Sequence, residues 1–165
     1  MIYSKKLQKF VPITVESNSF YIPGHGNVTK YVVKDGKIPV GHINLRDIPE
    51  GVFVSFIQNQ YPELYSKFGQ IADQIEVEHC LKRGLNNFEI RSEAALNSHA
   101  LHYLRGKRFD DKKAEEKVRE IIANTPKGTL YNTKSLGSIA MYMPKNLINK
   151  YVEAIKKNPL ILKSI

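Results

Sequence analysis

Residues 51–58 read Gly-Val-Phe-Val-Ser-Phe-Ile-Gln, and after a loop that contains Pro62 residues 67–72 read Lys-Phe-Gly-Gln-Ile-Ala. The first run is almost entirely apolar, which predicts a strand buried on both faces. The second run opens a helix predicted from about Gly69 to Arg83, because its apolar residues recur at helical spacing and Gly84 is well placed to end it. A buried strand that leads into a helix is therefore the unit from which the rest of the fold is predicted.

The sequence before this unit predicts an antiparallel meander. Residues 28–34 and 38–45 are rich in β-forming side chains and flank Asp35-Gly36, a dipeptide that favours a hairpin turn. Pro39 in the second arm predicts an edge position or a bulge. Residues 20–30 contain clustered Pro and Gly and are predicted as a loop, and no amphipathic helix is evident before residue 30.

The sequence after the unit alternates between strands and helices. Periodicity and capping signals predict a strand over 87–92, a short helix over 97–105 that Asn97 or Ser98 can cap, an amphipathic helix over 111–123, a strand over 136–143, and a last helix from Pro144 to Pro159. The whole order predicts a mixed α/β (α+β) domain, with a β-meander ahead of a βαβ crossover. The helix at about 111–124 is predicted as an insertion, and 136–158 as a C-terminal strand and helix.

Length and composition suit one folded domain over residues 1–165, since 42% of the residues are hydrophobic and 25% are charged. The single cysteine, Cys80, excludes an internal disulfide, indicates a reducing compartment and is predicted as a structural thiol because it lies within a helix.

His99 and His102 are three residues apart, but no carboxylate or cysteine completes a metal site. No run approaches the roughly 18 apolar residues of a membrane span, and no secretory signal is evident, so a cytoplasmic protein without a membrane partner is expected.

The charge distribution is asymmetric. The 25 basic and 16 acidic residues give a net charge of +9. Residues 1–80 hold 8 of each, so residues 81–165, with 17 basic and 8 acidic, carry the whole excess. This predicts either nucleic-acid binding through Arg105-Gly106-Lys107-Arg108 and the lysine-rich remainder, or a solvated basic face. Interleaved glutamates on the helix at 111–123 favour the solvated face there.

Three pieces of the stretch from Gly41 to Phe109 carry a family resemblance. They are the strand Val52–Gln58 that leads into Lys67-Phe68-Gly69-Gln70-Ile71-Ala72, the helix end Lys82-Arg83-Gly84 that leads into Phe88-Glu89-Ile90, and Asn97-Ser98-His99-Ala100-Leu101-His102-Tyr103 ahead of Gly106-Lys107-Arg108-Phe109. The stretch resembles the core of the GNAT superfamily of acyl-CoA-dependent N-acetyltransferases. The resemblance implies a GNAT-like fold whose acceptor side is truncated or replaced, because the family's two helices between its first strands have no counterpart here.

The resemblance also implies transfer of an acetyl group from acetyl-CoA to an unknown amine by direct attack. A helix N-terminus offers N–H groups and partial positive charge to the pyrophosphate, Gly69 lets the backbone approach it, and the end of the preceding strand pairs with the pantetheine arm. The implied cofactor-binding residues are Phe56, Ile57, Gln58, Lys67, Phe68, Gly69, Gln70, Ile71, Ala72 and Asn97.

Proton transfer has one implied residue and two open candidates. By resemblance Tyr103 protonates the departing CoA thiolate, and the alternative is a tyrosine ring packed in the core. Asn97 either contacts the cofactor or caps its helix. No general base is evident; Glu50 and His42 are candidates, and a water relay is the alternative.

Three function classes remain open on the sequence. The first is an acyl-CoA-dependent N-acyltransferase. The second is a basic nucleic-acid-binding module, and the third is an interaction protein that keeps the transferase fold without its chemistry. CoA binding that survives moderate salt separates the first class from the second, whose binding falls steeply with salt.

Overall fold

The computed structural model describes residues 1–161 and 163–164, which form two compact units. Residues Met1–Ile90 and the segment from Asn149 onwards belong to the first unit, and Arg91–Ile148 form the second. In chain order the elements are β1 (Ile2–Ser4), β2 (Lys9–Val11), β3 (Thr14–Ile22), β4 (Gly26–Asp35), β5 (Ile38–Ile48), β6 (Gly51–Asn59), β7 (Tyr65–Ser66), α1 (Phe68–Lys82), β8 (Glu89–Ala94), α2 (His99–Leu104), β9 (Arg108–Phe109), α3 (Lys112–Asn124), a 3₁₀ turn (Lys134–Leu136), β10 (Ile139–Tyr142), α4 (Lys145–Lys157) and β11 (Lys163–Ser164). β8 and α4 run across the boundaries between the units. No helix in the described ranges is long and apolar enough to cross a bilayer.

The first unit is built on an antiparallel meander in which β3, β4, β5 and β6 each pair with the next strand. β11 adds to β3 in parallel, a pairing that the sequence did not predict, so the sheet is mixed. β1 pairs with β2 and with β7 in a small separate sheet. The predicted hairpin around Asp35-Gly36 is confirmed, and Gly36 takes the left-handed φ of 59° that such turns require.

The predicted loop over residues 20–30 is wrong. β3 continues to Ile22 and β4 begins at Gly26, so only the three residues between them form the turn. The His25 N–H donates to the Ile22 carbonyl across this turn, and Gly24 has a φ of 83°. The Pro-Gly cluster marks a tight hairpin turn, and the polar residues around it belong to strands that are largely exposed.

Two bulges interrupt the meander, one on each edge of β5. Between β4 and β5, Val33 pairs with Gly41 and Lys34 with Pro39, which confirms the bulge predicted at Pro39. Between β5 and β6, Asn44 pairs with Phe56 and Leu45 with Val54, so Ser55 is the extra residue. This second bulge was not predicted.

β6 is buried only in its first half. Gly51, Val52 and Val54 are buried, whereas Ser55, Phe56 and Gln58 are exposed. The prediction of a strand buried on both faces is therefore wrong for the second half. An apolar sequence does not reveal that α1 covers one face of the sheet while the other face stays accessible at Phe56 and Gln58.

Helix α1 confirms the predicted helix, and it is buried nearly all round although it carries charged side chains. It packs against β5 and β6. The buried Glu78 carboxylate accepts from the backbone N–H groups of Leu160 and Ile161, which ties the C-terminal segment to the helix. Gly84, with a φ of 78°, ends the helix as predicted: its N–H donates to the Leu81 carbonyl.

The second unit contains three paired strands and a core of its own. β10 pairs antiparallel with β8 on one side and with β9 on the other. Helices α2 and α3 contribute to a core formed by Ala94, Ala100, Phe109, Val118 and Met141. The predicted helix at 111–123 is confirmed as α3, whose N-terminus Asp111 caps. The predicted strand at 136–143 begins only at Ile139, because the 3₁₀ turn and Gly137 precede it.

Candidate functional site

The C-terminal half of β6 lies beyond the bulge at Ser55. Phe56 and Gln58 lie on the sheet face opposite α1, and the Phe56 side chain is 45% exposed. Ile57 points to the other face, because successive side chains of a strand alternate. The first half of the strand is anchored differently: the Glu89 N–H at the start of β8 donates to the Glu50 carbonyl just before β6.

The N-terminus of α1 carries no cap. Lys67, at the cap position, has a left-handed φ of 73°, and in the described structure no side chain accepts a hydrogen bond from the first turn, which also contains no acidic residue. The first helical bond runs from the Ile71 N–H to the Lys67 carbonyl. The N–H groups of the three residues before Ile71 therefore have no helical carbonyl to bind, and with the helix dipole they favour an anion.

The start of α1 is placed against the end of β6 by a close approach at Gly41. A Cβ added to Gly41 would lie 2.3 Å from the Gln58 carbonyl oxygen and 2.6 Å from Cζ of Phe68. Only glycine leaves room for both groups at this position. The first unit thus brings together the two segments implied for the cofactor, Phe56–Gln58 and Lys67–Ala72.

The implied cofactor-binding residues of α1 differ in what they present. The side chains of Phe68, Ile71 and Ala72 are buried in the core, so these residues offer a ligand only their backbone. Lys67 and Gln70 are exposed. The helix begins at Phe68, one residue earlier than predicted, so Gly69 is its second residue and lies within the first turn.

Of the two candidate bases, one is too distant from the exposed half of β6. Glu50 precedes the strand and lies about 25 Å from Gln58 at roughly 3.3 Å per residue. His42 pairs directly with Gln58 in the sheet, and its ring stacks on Phe56 with centroids 5.0 Å apart. Burial, together with the charge of Lys30, lowers the pKa of His42 from its ordinary value of 6.5. His42 is therefore neutral at pH 7 and able to accept a proton.

In the second unit, Tyr103 lies on α2 and packs against that unit's core. The Arg108 guanidinium lies over its ring, 4.3 Å from the centroid, and donates to the Tyr103 carbonyl. The prediction that Asn97 or Ser98 caps α2 with its side chain is wrong. Asn97 Oδ1 accepts from the Thr133 N–H, and Ser98 Oγ donates to the Ala95 carbonyl, so both side chains bind backbone outside the helix.

The remaining candidate groups have structural partners. The buried His99 ring is hydrogen-bonded through Nδ1 to Thr133 Oγ1 and through Nε2 to the Gly137 carbonyl, so neither nitrogen is free for a metal. Among the described residues, no cluster of His, Cys, Asp and Glu forms a metal site. Cys80 is free and buried, and burial raises the pKa of its thiol to about 12, which confirms it as a structural thiol.

Comparison with known proteins identifies the fold. No family model and no curated protein matches the chain. A Bacillus subtilis acetyltransferase in complex with CoA has a TM-score of 0.51 and 14% identity, over 80% of this chain and 98% of that chain. An IAA acetyltransferase from Bacillus cereus has a TM-score of 0.45 and 20% identity, over 70% of this chain and 77% of its own.

A GNAT-family acetyltransferase from Staphylococcus aureus has a TM-score of 0.44 and 11% identity, over 70% of this chain and 66% of its own. The fold comparison rests on the Bacillus subtilis structure, whose TM-score is 0.51, and its identity of 14% describes the fold alone. β6 and the helix α1 that follows it are elements that residues 41–109 predicted, whereas the bulge in β6 was not predicted. The chain has the GNAT fold.

Proposed function

We propose that the chain is an acyl-CoA-dependent N-acyltransferase that transfers an acetyl group from acetyl-CoA to an amine. The observation that carries the proposal is the uncapped N-terminus of α1 beside the exposed end of β6. CoA is the molecule in complex with the Bacillus subtilis acetyltransferase of the same fold. Its pyrophosphate meets the N–H groups of Phe68, Gly69 and Gln70, and Lys67 adds a positive charge.

The pantetheine arm pairs with the backbone of Phe56–Gln58, next to the bulge. A neutral amine then attacks the thioester carbonyl, so that a C–N bond forms and the C–S bond breaks. The nitrogen loses one proton and the departing thiolate gains one, which gives the amide and free CoA. His42 accepts the first proton and Tyr103 donates the second. Asn97 contributes to the cofactor site through the part of its amide that Thr133 does not use.

Tyr103→Phe is expected to lower kcat by about 100-fold or more, the usual contribution of a general acid, while CoA affinity stays within about threefold. Phenylalanine keeps the ring that packs against the second unit's core, so the fold is preserved. Steady-state kinetics and calorimetric titration with CoA check the two halves of this expectation. Unchanged turnover would remove Tyr103 from the acid role.

The rate is expected to depend on the protonation of His42. Because burial and Lys30 lower its pKa, kcat/KM calculated for the neutral fraction of the amine should rise with pH and reach its plateau with a midpoint below 6.5. His42→Gln should lower the plateau by about 100-fold and abolish this acidic limb. A pH–rate profile of both proteins decides the matter. An identical limb in the variant would assign the titration to another group and favour a water relay.

The experiment that tests the function as a whole is thermal stabilisation by CoA at two salt concentrations, followed by an acetylation assay. Stabilisation that survives moderate salt supports the donor site. The two alternatives stay predictions: nucleic-acid binding through the basic C-terminal half, and an interaction protein that binds CoA without turnover. The first would show a steep salt dependence and no CoA effect, and the second would show CoA binding without product.

A further inference from the structure

The face of the first unit's sheet opposite α1 is accessible. Strand pairing places two rows of side chains across this face, and all of them are exposed or half-buried. We call these eight residues the open face. One row is Asn18, Lys30, Asn44 and Phe56, and the next is Glu16, Val32, His42 and Gln58. The opposite face is covered, since the buried Tyr31 on β4 is hydrogen-bonded to His79 of α1. The open face reaches the exposed end of β6, where the proposed thioester lies.

An aromatic platform occupies the β6 end of the open face. The His42 and Phe56 rings are stacked with an interplanar angle of 28°, and nearly half of the Phe56 side chain is accessible. Aromatic rings prefer offset stacking on another ring over contact with water. The platform therefore favours a ligand with an aromatic group.

An unused hydrogen-bond acceptor lies beside the platform. Asn44 Oδ1 is buried and has no hydrogen-bond partner within the described ranges. Leaving such a group unpaired is unfavourable by about 1–3 kcal/mol, so a ligand N–H that binds it is favoured. Asn44 pairs with Phe56 and faces the bulge, since Ser55 Oγ donates to the Asn44 carbonyl. This is where the attacking amine is needed.

A cation lies on the other side of Asn44. Lys30 pairs with Asn44 in the sheet and lines an open surface depression of about 370 Å³ together with Glu16, Ser17, Asn18 and Val32. The Glu16 carboxylate is bound to Lys34 at 2.6 Å, and in the described part of the chain no carboxylate forms an ion pair with Lys30. Lys30 therefore gives the depression a preference for an anionic group.

We propose that the open face binds the acceptor, and that this acceptor is an aromatic molecule with an amine and an anionic group on neighbouring atoms, as in an aromatic α-amino acid. The ring stacks on Phe56, the amine donates to Asn44 Oδ1, and the anionic group binds Lys30. These three residues lie on successive strands about 4.8 Å apart, a spacing that one small molecule spans. The inference rests on the proposed function and names its substrate class.

Four probes test the three contacts with the full chain. They are L-phenylalanine, phenylethylamine, which lacks the carboxylate, L-alanine, which lacks the ring, and 3-phenylpropanoate, which lacks the amine and therefore any N–H donor. Acetylation is followed by release of CoA thiol from acetyl-CoA, and binding is followed by NMR titration without any CoA. We expect kcat/KM for phenylalanine to exceed that for phenylethylamine and alanine by at least about tenfold, and 3-phenylpropanoate to bind at least about tenfold more weakly than phenylalanine.

At pH 8, where His42 is neutral with or without the Lys30 charge, Lys30→Gln should lower kcat/KM for phenylalanine about tenfold and change that for phenylethylamine by less than about twofold. The preference between the two amines is then lost. Lys37→Gln, on the exposed hairpin turn, is the matched control for loss of one charge and should change neither value. Equal use of phenylalanine and phenylethylamine by the unaltered protein, or an equal effect of both variants, would overturn the inference.

The test separates this inference from the function beneath it. If CoA binds and another amine, such as spermidine, is acetylated while phenylalanine neither binds nor reacts, the substrate class is wrong and the transferase stands. If CoA fails to bind, the proposed transferase activity is wrong, and the NMR titration still tests whether the open face binds an aromatic amino acid. Phenylalanine binding that Lys30→Gln weakens would support that site. The absence of phenylalanine binding would exclude it.

Discussion

Gln70→Glu is expected to weaken CoA binding about 100-fold and to leave the fold intact or slightly more stable. Gln70 is exposed in the first turn of α1, where the proposed pyrophosphate lies. A carboxylate about 6 Å from a phosphate charge opposes binding by roughly 3 kcal/mol at the effective dielectric constant of a protein surface. The same carboxylate complements the helix dipole, which stabilises the helix by about 0.3–1 kcal/mol. Calorimetric titration and thermal unfolding measure the two effects.

Two control variants isolate the charge at this position. Gln70→Ala removes the amide without adding charge and should bind CoA within about threefold of the unaltered protein. Gln8→Glu adds one negative charge at an exposed residue of the turn between β1 and β2 and should have no effect on CoA affinity. If Gln70→Glu binds CoA as tightly as Gln70→Ala does, the pyrophosphate does not lie at this helix terminus.

Gly51→Ala is expected to destabilise the protein by about 3–4 kcal/mol, at the upper end of overpacking effects. An added Cβ would lie 1.9 Å from the carbonyl oxygen of Glu89, so the beginnings of β6 and β8 would have to separate. The Glu89 N–H also donates to the Glu50 carbonyl at this junction, and Arg83 donates to the Gly51 carbonyl. Chemical denaturation measures the free energy of unfolding.

Gly128→Ala is the matched control for the loss of a glycine. Gly128 has a φ of 85° and open space around it, so the substitution introduces backbone strain of about 1–2 kcal/mol without a clash. A smaller effect for Gly51→Ala than for Gly128→Ala would show that the two strands do not approach each other as closely as the structure indicates.

The sequence predicted the central elements because their signals are local. Asp35-Gly36 marks a hairpin turn, Gly84 marks the end of α1, and the apolar run at 51–58 marks a strand, so the order of the meander and the following helix could be predicted. The strands β1, β2 and β3 could not, since they are short or largely polar. Some of their partners also lie far away in sequence, since β1 pairs with β7 and β3 pairs with β11.

The candidate site was predictable only in part, because it depends on strand register. The start of α1 and the end of β6 are recognisable from residues 56–58 and 67–72. The bulge at Ser55 is not, because nothing in the residues around it shows where Asn44 pairs. Lys30 and Asn44 were missed for the same reason: they are ordinary polar residues until pairing places them beside Phe56. The polar residues Lys30, His42 and Asn44, which alternate with apolar ones in β4 and β5, are the signal from which an accessible face could have been predicted.

The proposed activity depends on the anion site at the start of α1, and a crystal structure of the protein with CoA tests that site most directly. The pyrophosphate oxygens are expected within about 3 Å of the backbone nitrogens of Gly69 and Gln70, with the pantetheine arm along Phe56–Gln58. CoA density elsewhere on the molecule, or none at saturating concentration, would contradict it.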